Sequence, residues 1–178
     1  MTATKKLFAE FNNNVVLIET GSGDGDGIQC AIDAGFETVY SLEKSKELYQ
    51  YCKARFLNNI KVCCYHGDSR DKLPNLISHI PTTITFWLDA HYSKGKTLGE
   101  GDNPILDELF IISKHRLNNH NILIDDMRYF GNPYFGVTEE QVRNELMKIN
   151  PNYTIEYRDG FCRDDVLVAY LKEGDSES

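Results

Sequence analysis

Short runs of apolar, mostly β-branched residues recur along the chain, separated by stretches whose apolar positions repeat every three or four residues. The first kind reads as buried strands and the second as amphipathic helices. Strands are expected near 15–19, 38–42, 61–66, 84–89, 121–125, 153–158 and 165–171, and helices over 27–34, 44–57, 70–78, 104–116 and 138–148. In the second helix Leu48, Tyr51, Cys52 and Phe56 share one face. Asn103 suits a helix cap and Pro104 the first turn behind it. The alternation implies an α/β protein with an open sheet. A short polar turn with Asp159 and Gly160 joins the last two strands, so these should pair antiparallel.

Ligands of open α/β sheets gather where strands end at their carboxyl termini. The first strand, Val15 to Ile18, ends at Glu19 and runs into Gly21-Ser22-Gly23-Asp24-Gly25-Asp26-Gly27. Glycines let the backbone turn sharply and approach a ligand. A strand, a glycine loop and a helix start form a nucleoside-binding corner. The dinucleotide spacing G-x-G-x-x-G fails here, and no lysine follows for a phosphate loop. Asp24, Asp26 and Glu19 would repel a pyrophosphate and suit a cationic ligand. The second strand ends at Glu43, placed to accept from ribose hydroxyls. The third runs into His66-Gly67-Asp68-Ser69, where Asp68 either accepts from an adenine amine or caps the next helix, a role Ser69 also fits.

Strands four and five end in Asp89 and in Asp125-Asp126. Three carboxylates converging at one rim repel one another unless a cation joins them. Oxygen-only ligands suit Mg²⁺, Mn²⁺ or Ca²⁺ rather than zinc. Each acid also has a plainer role: Asp89 as a turn cap or partner of a ligand ammonium, Asp125 and Asp126 as caps or partners of Arg128.

The pattern Glu19-x-Gly21-x-Gly23-x-Gly25 resembles motif I of the class I S-adenosylmethionine-dependent methyltransferases. With Asp89, Asp125 and Asp126 it resembles the metal-dependent O-methyltransferases of the catechol and macrocin types, across nearly all of 15–171. The resemblance implies a Rossmann-like fold: a seven-stranded, mostly parallel sheet with an antiparallel carboxyl-terminal hairpin and helices on both faces. It implies S-adenosylmethionine as cofactor, held by Glu19, Gly21, Ser22, Gly23, Gly25, Gly27, Glu43, Asp68, Ser69 and Asp89. It implies Mg²⁺ or Mn²⁺ on Asp89, Asp125 and Asp126. Related domains occur beside glycosyltransferases in glycan-building systems, including those of large algal viruses. A sugar hydroxyl is therefore the expected acceptor, with glycosyltransferases as partners or fused domains. Methylation of a small phenol or catechol and a non-catalytic cofactor-binding module are the competing readings.

The chain departs from the macrocin type in having Asp89-Ala90-His91 where Asp-x-Asp is usual, and it lacks the amino-terminal helical extension of many relatives. His91 is the expected base, with a ligand or orienting role as the alternative; an unperturbed imidazole titrates near ~6.5. Tyr92, Arg128 and Tyr129 are candidate acceptor contacts. The glycine-rich 92–102 stretch reads as a lid, and the aromatics of 129–135 either stack on a sugar or pack on the sheet.

A length of 178 residues suits one domain over 1–178, with a polar tail from 173 expected to fray. A net charge of −8 argues against nucleic acid. No apolar run reaches membrane-spanning length and no signal peptide is visible, so no membrane partner is expected. Five cysteines without metal spacing suggest reduced thiols and a cytoplasmic location, that of the host if the protein is viral.

Overall fold

The structure, a computed structural model, describes residues 3–89 and 103–172. Seven strands form one sheet: β1 (Val16–Thr20), β2 (Thr38–Glu43), β3 (Val62–His66), β4 (Thr85–Leu88), β5 (Asn121–Ile124), β6 (Thr154–Arg158) and β7 (Val166–Tyr170). Their order is β3-β2-β1-β4-β5-β7-β6. The first five strands pair parallel, whereas β7 runs antiparallel to both β5 and β6. This is the expected mixed sheet, closed by its antiparallel hairpin.

The helices are α1 (Ala3–Glu10), α2 (Asp26–Ala34), α3 (Lys46–Arg55), α4 (Ser69–Ser78), α5 (Ile105–Ile112) and α6 (Glu139–Ile149). Central strands alternate sides with period two, so β1 sends Val16 and Ile18 into one apolar layer and Leu17 into the other. The first layer takes Leu73 and Ile77 of α4, Leu109 and Ile112 of α5, and Val142 and Leu146 of α6. The second takes Leu7 and Phe8 of α1, Ile28 and Ala31 of α2, and Cys52 of α3. Helices therefore cover both faces. No helix among the described residues is long and apolar enough to cross a membrane.

The sequence reading did not anticipate α1. Its apolar side consists only of Leu7 and Phe8, with Phe11 just beyond, and Phe8 meets Phe36 and Trp87 edge-on. In α3, Cys52 and Phe56 are buried as expected, but Tyr51 is exposed. Asn103 does serve α5, its Oδ1 accepting from the Ile105 N–H at 3.1 Å.

The chain runs outward from β1 to β2 to β3, then crosses back to β4 on the other side of β1. The switch point lies between β1 and β4, where loops diverge to opposite sides and leave a crevice. Backbone bonds carry the ladder past the strand ends there, from Asp89 N–H to the Thr20 carbonyl at 3.0 Å and from Gly21 N–H to the Leu42 carbonyl at 2.9 Å.

Candidate active site

The glycine loop after β1 is held by carboxylates from beneath. Glu43, at the end of β2 and only 4 % exposed, accepts from the Gly23 N–H at 3.2 Å and from the Ser45 N–H at 2.7 Å. An ionised carboxylate has about four lone-pair sites, so these two bonds leave capacity for ribose hydroxyls. Gly23 has a positive φ of 51°, and a Cβ built on it would meet nothing within 4 Å. The loop therefore presents bare backbone to open space at the switch point, a cradle suited to a ligand that approaches closely.

Glu19 lies deeper, 2 % exposed. Its carboxylate accepts from the Ser41 hydroxyl, so the Ser22 hydroxyl, 2.5 Å from Ser41 Oγ, donates in turn to Ser41. Burial pushes the Glu19 carboxyl up to about 8, and the charges of Glu43 and Asp24 add to this, while the Ser41 bond opposes it. A Cβ on Gly27 would stand 1.9 Å from Glu19 Oε1. Gly27 thus makes room for the acid that ties the loop to the sheet.

Asp68 caps α4, accepting from the Arg70 N–H at 3.0 Å. The Arg70 guanidinium also grips it at 2.7 Å, and Lys44 reaches it at 2.9 Å. These bonds, Arg70 first, hold its carboxyl well below the usual carboxylate range. Ser69, expected beside the cofactor, is buried, and its hydroxyl is directed to Glu108 of α5. Burial pushes Glu108 up to about 7, the Ser69 bond opposing, and its Oε1 has no hydrogen-bond partner.

The other end of the rim is crowded with acids. Oxygens of Asp125, Asp126 and Asp165 all lie within 4.8 Å of one another. Asp89, expected as a ligand with Asp125 and Asp126, is not in that group, where Asp165 stands instead; it is near enough that burial first, then the negative charges of Asp125 and Asp126, push its carboxyl well above the usual range. Asp165 was not singled out from the sequence. The register that sets Ile124 opposite Leu167, continued past the strand ends, brings Asp126 beside Asp165, so the antiparallel pairing was the available signal.

Arg128 pairs with both Asp126 and Asp165. The pairing with Asp126 is one of its two expected roles; the other, an acceptor contact, is not tested by this geometry. Its guanidinium lies over the Tyr129 ring at 4.5 Å. Phe130 and Phe135 pack edge to face at 4.8 Å, and Phe130 sits against the apolar layer below, so these aromatics serve packing. Among the described residues four carboxylates here face one guanidinium. A hard divalent cation fits that donor set, which is all oxygen, and would relieve its excess negative charge. His91, Tyr92 and the 92–102 stretch lie outside the described residues.

No family model matches the chain, and no curated protein matches it by sequence. Solved structures do resemble it. An S-adenosylhomocysteine-bound methyltransferase of Podospora anserina, PaMTH1, superposes with a TM-score of 0.68 at 14 % identity, over 96 % of this chain and 76 % of that one. An O-methyltransferase from Bacillus cereus, in complex with S-adenosylhomocysteine, gives 0.68 at 15 % identity over 95 % and 79 %. TomG from Streptomyces achromogenes, an O-methyltransferase involved in tomaymycin synthesis and solved with S-adenosylmethionine, gives 0.65 at 13 % over 95 % and 78 %.

Proposed function

The chain has the fold of the class I methyltransferases, and we propose that it is an S-adenosylmethionine-dependent O-methyltransferase acting on a sugar hydroxyl of a glycan or glycoside, assisted by Mg²⁺ or Mn²⁺. The observation that supports this most is the corner where buried Glu43 holds Gly23 and Ser45 from below while the loop faces open space. Solved relatives of this fold carry the same cofactor or its demethylated product.

The cofactor, when bound, supplies an electrophilic methyl group. Glu43 would receive the ribose hydroxyls, and the acids of the loop would favour the positive charge of the sulfonium and ammonium. The bare Gly23 backbone allows the close approach. Asp68 meets the adenine edge only with an oxygen that Arg70 and Lys44 leave available.

At the other end Asp89, Asp125 and Asp126 would hold the divalent ion, which would supply Lewis-acid stabilisation of an acceptor hydroxyl as it loses its proton. His91, just beyond Asp89 in the chain, would take the hydroxyl proton. Asp89 and His91 are the residues nearest the chemistry; Tyr92 and Tyr129 are proposed acceptor contacts. Glycosyltransferases that build the same glycan are the proposed partners.

The test is transfer of labelled methyl from S-adenosylmethionine to methyl glycosides and to catechol, with added Mn²⁺ and with chelator. Label on a glycoside that chelator abolishes is the expected result. Label on catechol alone would assign a phenolic acceptor. Chelator-insensitive transfer would remove the metal from the mechanism.

A further inference from the structure

A small cavity lies at the carboxyl ends of β4 and β5, against the start of α5. Its apolar walls include Leu88, Phe130 and Phe135, and its polar lining is Asn103, Glu108 and Asp125. It has room for about one water-sized group. Two of its polar side chains are short of partners. Asn103 commits its Oδ1 to the Ile105 N–H, and its buried Nδ2 has no hydrogen-bond partner among the described residues. Glu108 is 1 % exposed. The hydroxyls of Ser69 and Thr20 lie beside its carboxyl, yet Oε1 has no partner among the described residues either. A buried polar atom left unpaired costs stability, so two of them lining one cavity call for a group that pairs with both.

The chemistry of the two atoms selects that group. The Asn103 amide nitrogen only donates. Glu108 accepts when ionised, and burial lifts its carboxyl to about 7, so its protonated form, which can also donate, is present near neutral pH. A hydroxyl has one donor and two acceptor lone pairs. It accepts from Asn103 and pairs with Glu108 in either protonation state. An ammonium cannot accept from Asn103, and a carbonyl or phosphate oxygen pairs with Glu108 only when the acid is protonated.

Water has the hydrogen-bonding capacity of a hydroxyl and is the plain alternative occupant. Location favours a ligand. Asp125, on the wall of this cavity, also belongs to the acid cluster with Asp126 and Asp165. A group lodged between Asn103 and Glu108 therefore sits next to the acids proposed to serve the reacting end of the acceptor.

We propose that Asn103 and Glu108 form a subsite for a second hydroxyl of the acceptor, adjacent to the one that is methylated, and so select a vicinal diol over a lone hydroxyl. Asn103 thereby determines specificity besides starting α5. The proposal deepens the methyltransferase reading and rests on it. Its shared ligand chemistry is a vicinal diol, which both a pyranose and a catechol offer.

The experiment uses the full chain with saturating S-adenosylhomocysteine and Mn²⁺, and reads acceptor affinity by saturation-transfer NMR. Probes are the methyl glycosides of glucose, galactose, rhamnose and xylose, their analogues lacking one ring hydroxyl, and catechol against phenol. Two variants are compared with the wild type. Asn103→Ser keeps an oxygen able to cap the Ile105 N–H and removes the Nδ2 donor. Glu108→Met removes the carboxyl at similar volume, so a folding defect in one variant leaves the other to decide. The expected result is a glycoside that binds saturably and one deoxy analogue that binds roughly tenfold more weakly. Both variants should weaken the parent glycoside by a similar factor and leave that analogue unchanged, a pattern that a merely structural role does not produce. The same pattern for catechol over phenol alone keeps the subsite and assigns it to an aromatic diol. Equal binding of every parent and its analogues to the wild type, or variants that weaken parent and analogue alike, overturns the subsite and leaves the cavity to water. Bound S-adenosylhomocysteine with no bound probe overturns it as well. If S-adenosylhomocysteine does not bind, the underlying methyltransferase reading fails and the subsite with it.

Discussion

The two ends of the carboxyl rim solve the problem of buried charge differently. At the β1–β2 end the two buried acids are held by neutral donors: Ser41 for Glu19, and the backbone of Gly23 and Ser45 for Glu43. At the β4–β5–β7 end, among the described residues, Arg128 pairs with Asp126 and Asp165 close to Asp89 and Asp125. Neutral donors fix geometry without adding charge, an arrangement that suits the cationic cofactor proposed above. The second end gathers carboxylates close together, and burial with neighbouring negative charge holds the Asp89 carboxyl well above its usual range.

That contrast is broken most severely at Arg128. Its partner Asp165 is 1 % exposed, and removing one member of such a pair strands a buried charge. Arg128→Met should destabilise the fold by about 3–5 kcal/mol in urea denaturation, if the pair behaves as buried pairs do. A loss under ~1 kcal/mol would show that solvent screens this end after all.

Glu108 lies inside, below the rim. Its folded-state carboxyl titrates near 7, against 4.5 unperturbed. Between those values the folded state keeps a proton that the unfolded state has lost. Stability from this group is therefore full below pH 4.5, falls as pH rises to about 7, and is flat beyond. Glu108→Gln should remove that descent, on the order of 3 kcal/mol, from stability curves taken across pH. Glu19, raised to about 8, would still contribute its own decline. An unchanged slope in Glu108→Gln would place the proton elsewhere.

The β1–β2 end is sharpened by Gly27→Ala. A helix interior gains up to about 1 kcal/mol from alanine over glycine. Here the methyl must displace Glu19, and overpacking costs about 1–3 kcal/mol. The net loss should be about 1 kcal/mol, accompanied by weaker binding of S-adenosylhomocysteine. Adding Glu19→Ser should recover the stability but not the binding; failure to recover it would mean that the clash lies elsewhere. As a control remote from both ends, Thr138→Ala removes the capping box of α6 and should cost about 1 kcal/mol by thermal denaturation, with ligand binding untouched.

Much of this architecture is legible in the chain because it is written in local patterns. The strand at β1 is an apolar run that ends in an acid and glycines, and β4 and β5 end in aspartates. What escaped was non-local. Asp165 becomes part of the acid cluster only through the antiparallel register of β7 on β5. The Ser69 hydroxyl also meets Glu108 of α5, a contact between elements that the local pattern does not show. Tyr51 shares a helical repeat with Cys52 and Phe56 yet sits at the edge of the buried face, exposed. α1 was missed because its few apolar residues acquire meaning only when Phe8 meets Phe36 and Trp87.

The most direct measurement is calorimetric titration of S-adenosylhomocysteine into the wild-type protein and into Glu43→Ala. Bonds to a charged group are worth about 1.5–3 kcal/mol, so loss of the carboxylate should weaken binding at least about tenfold. Saturable binding to the wild type with that loss in the variant is the predicted result. No heat of binding to the wild type, or equal affinity in both proteins, would contradict the cofactor site at this corner.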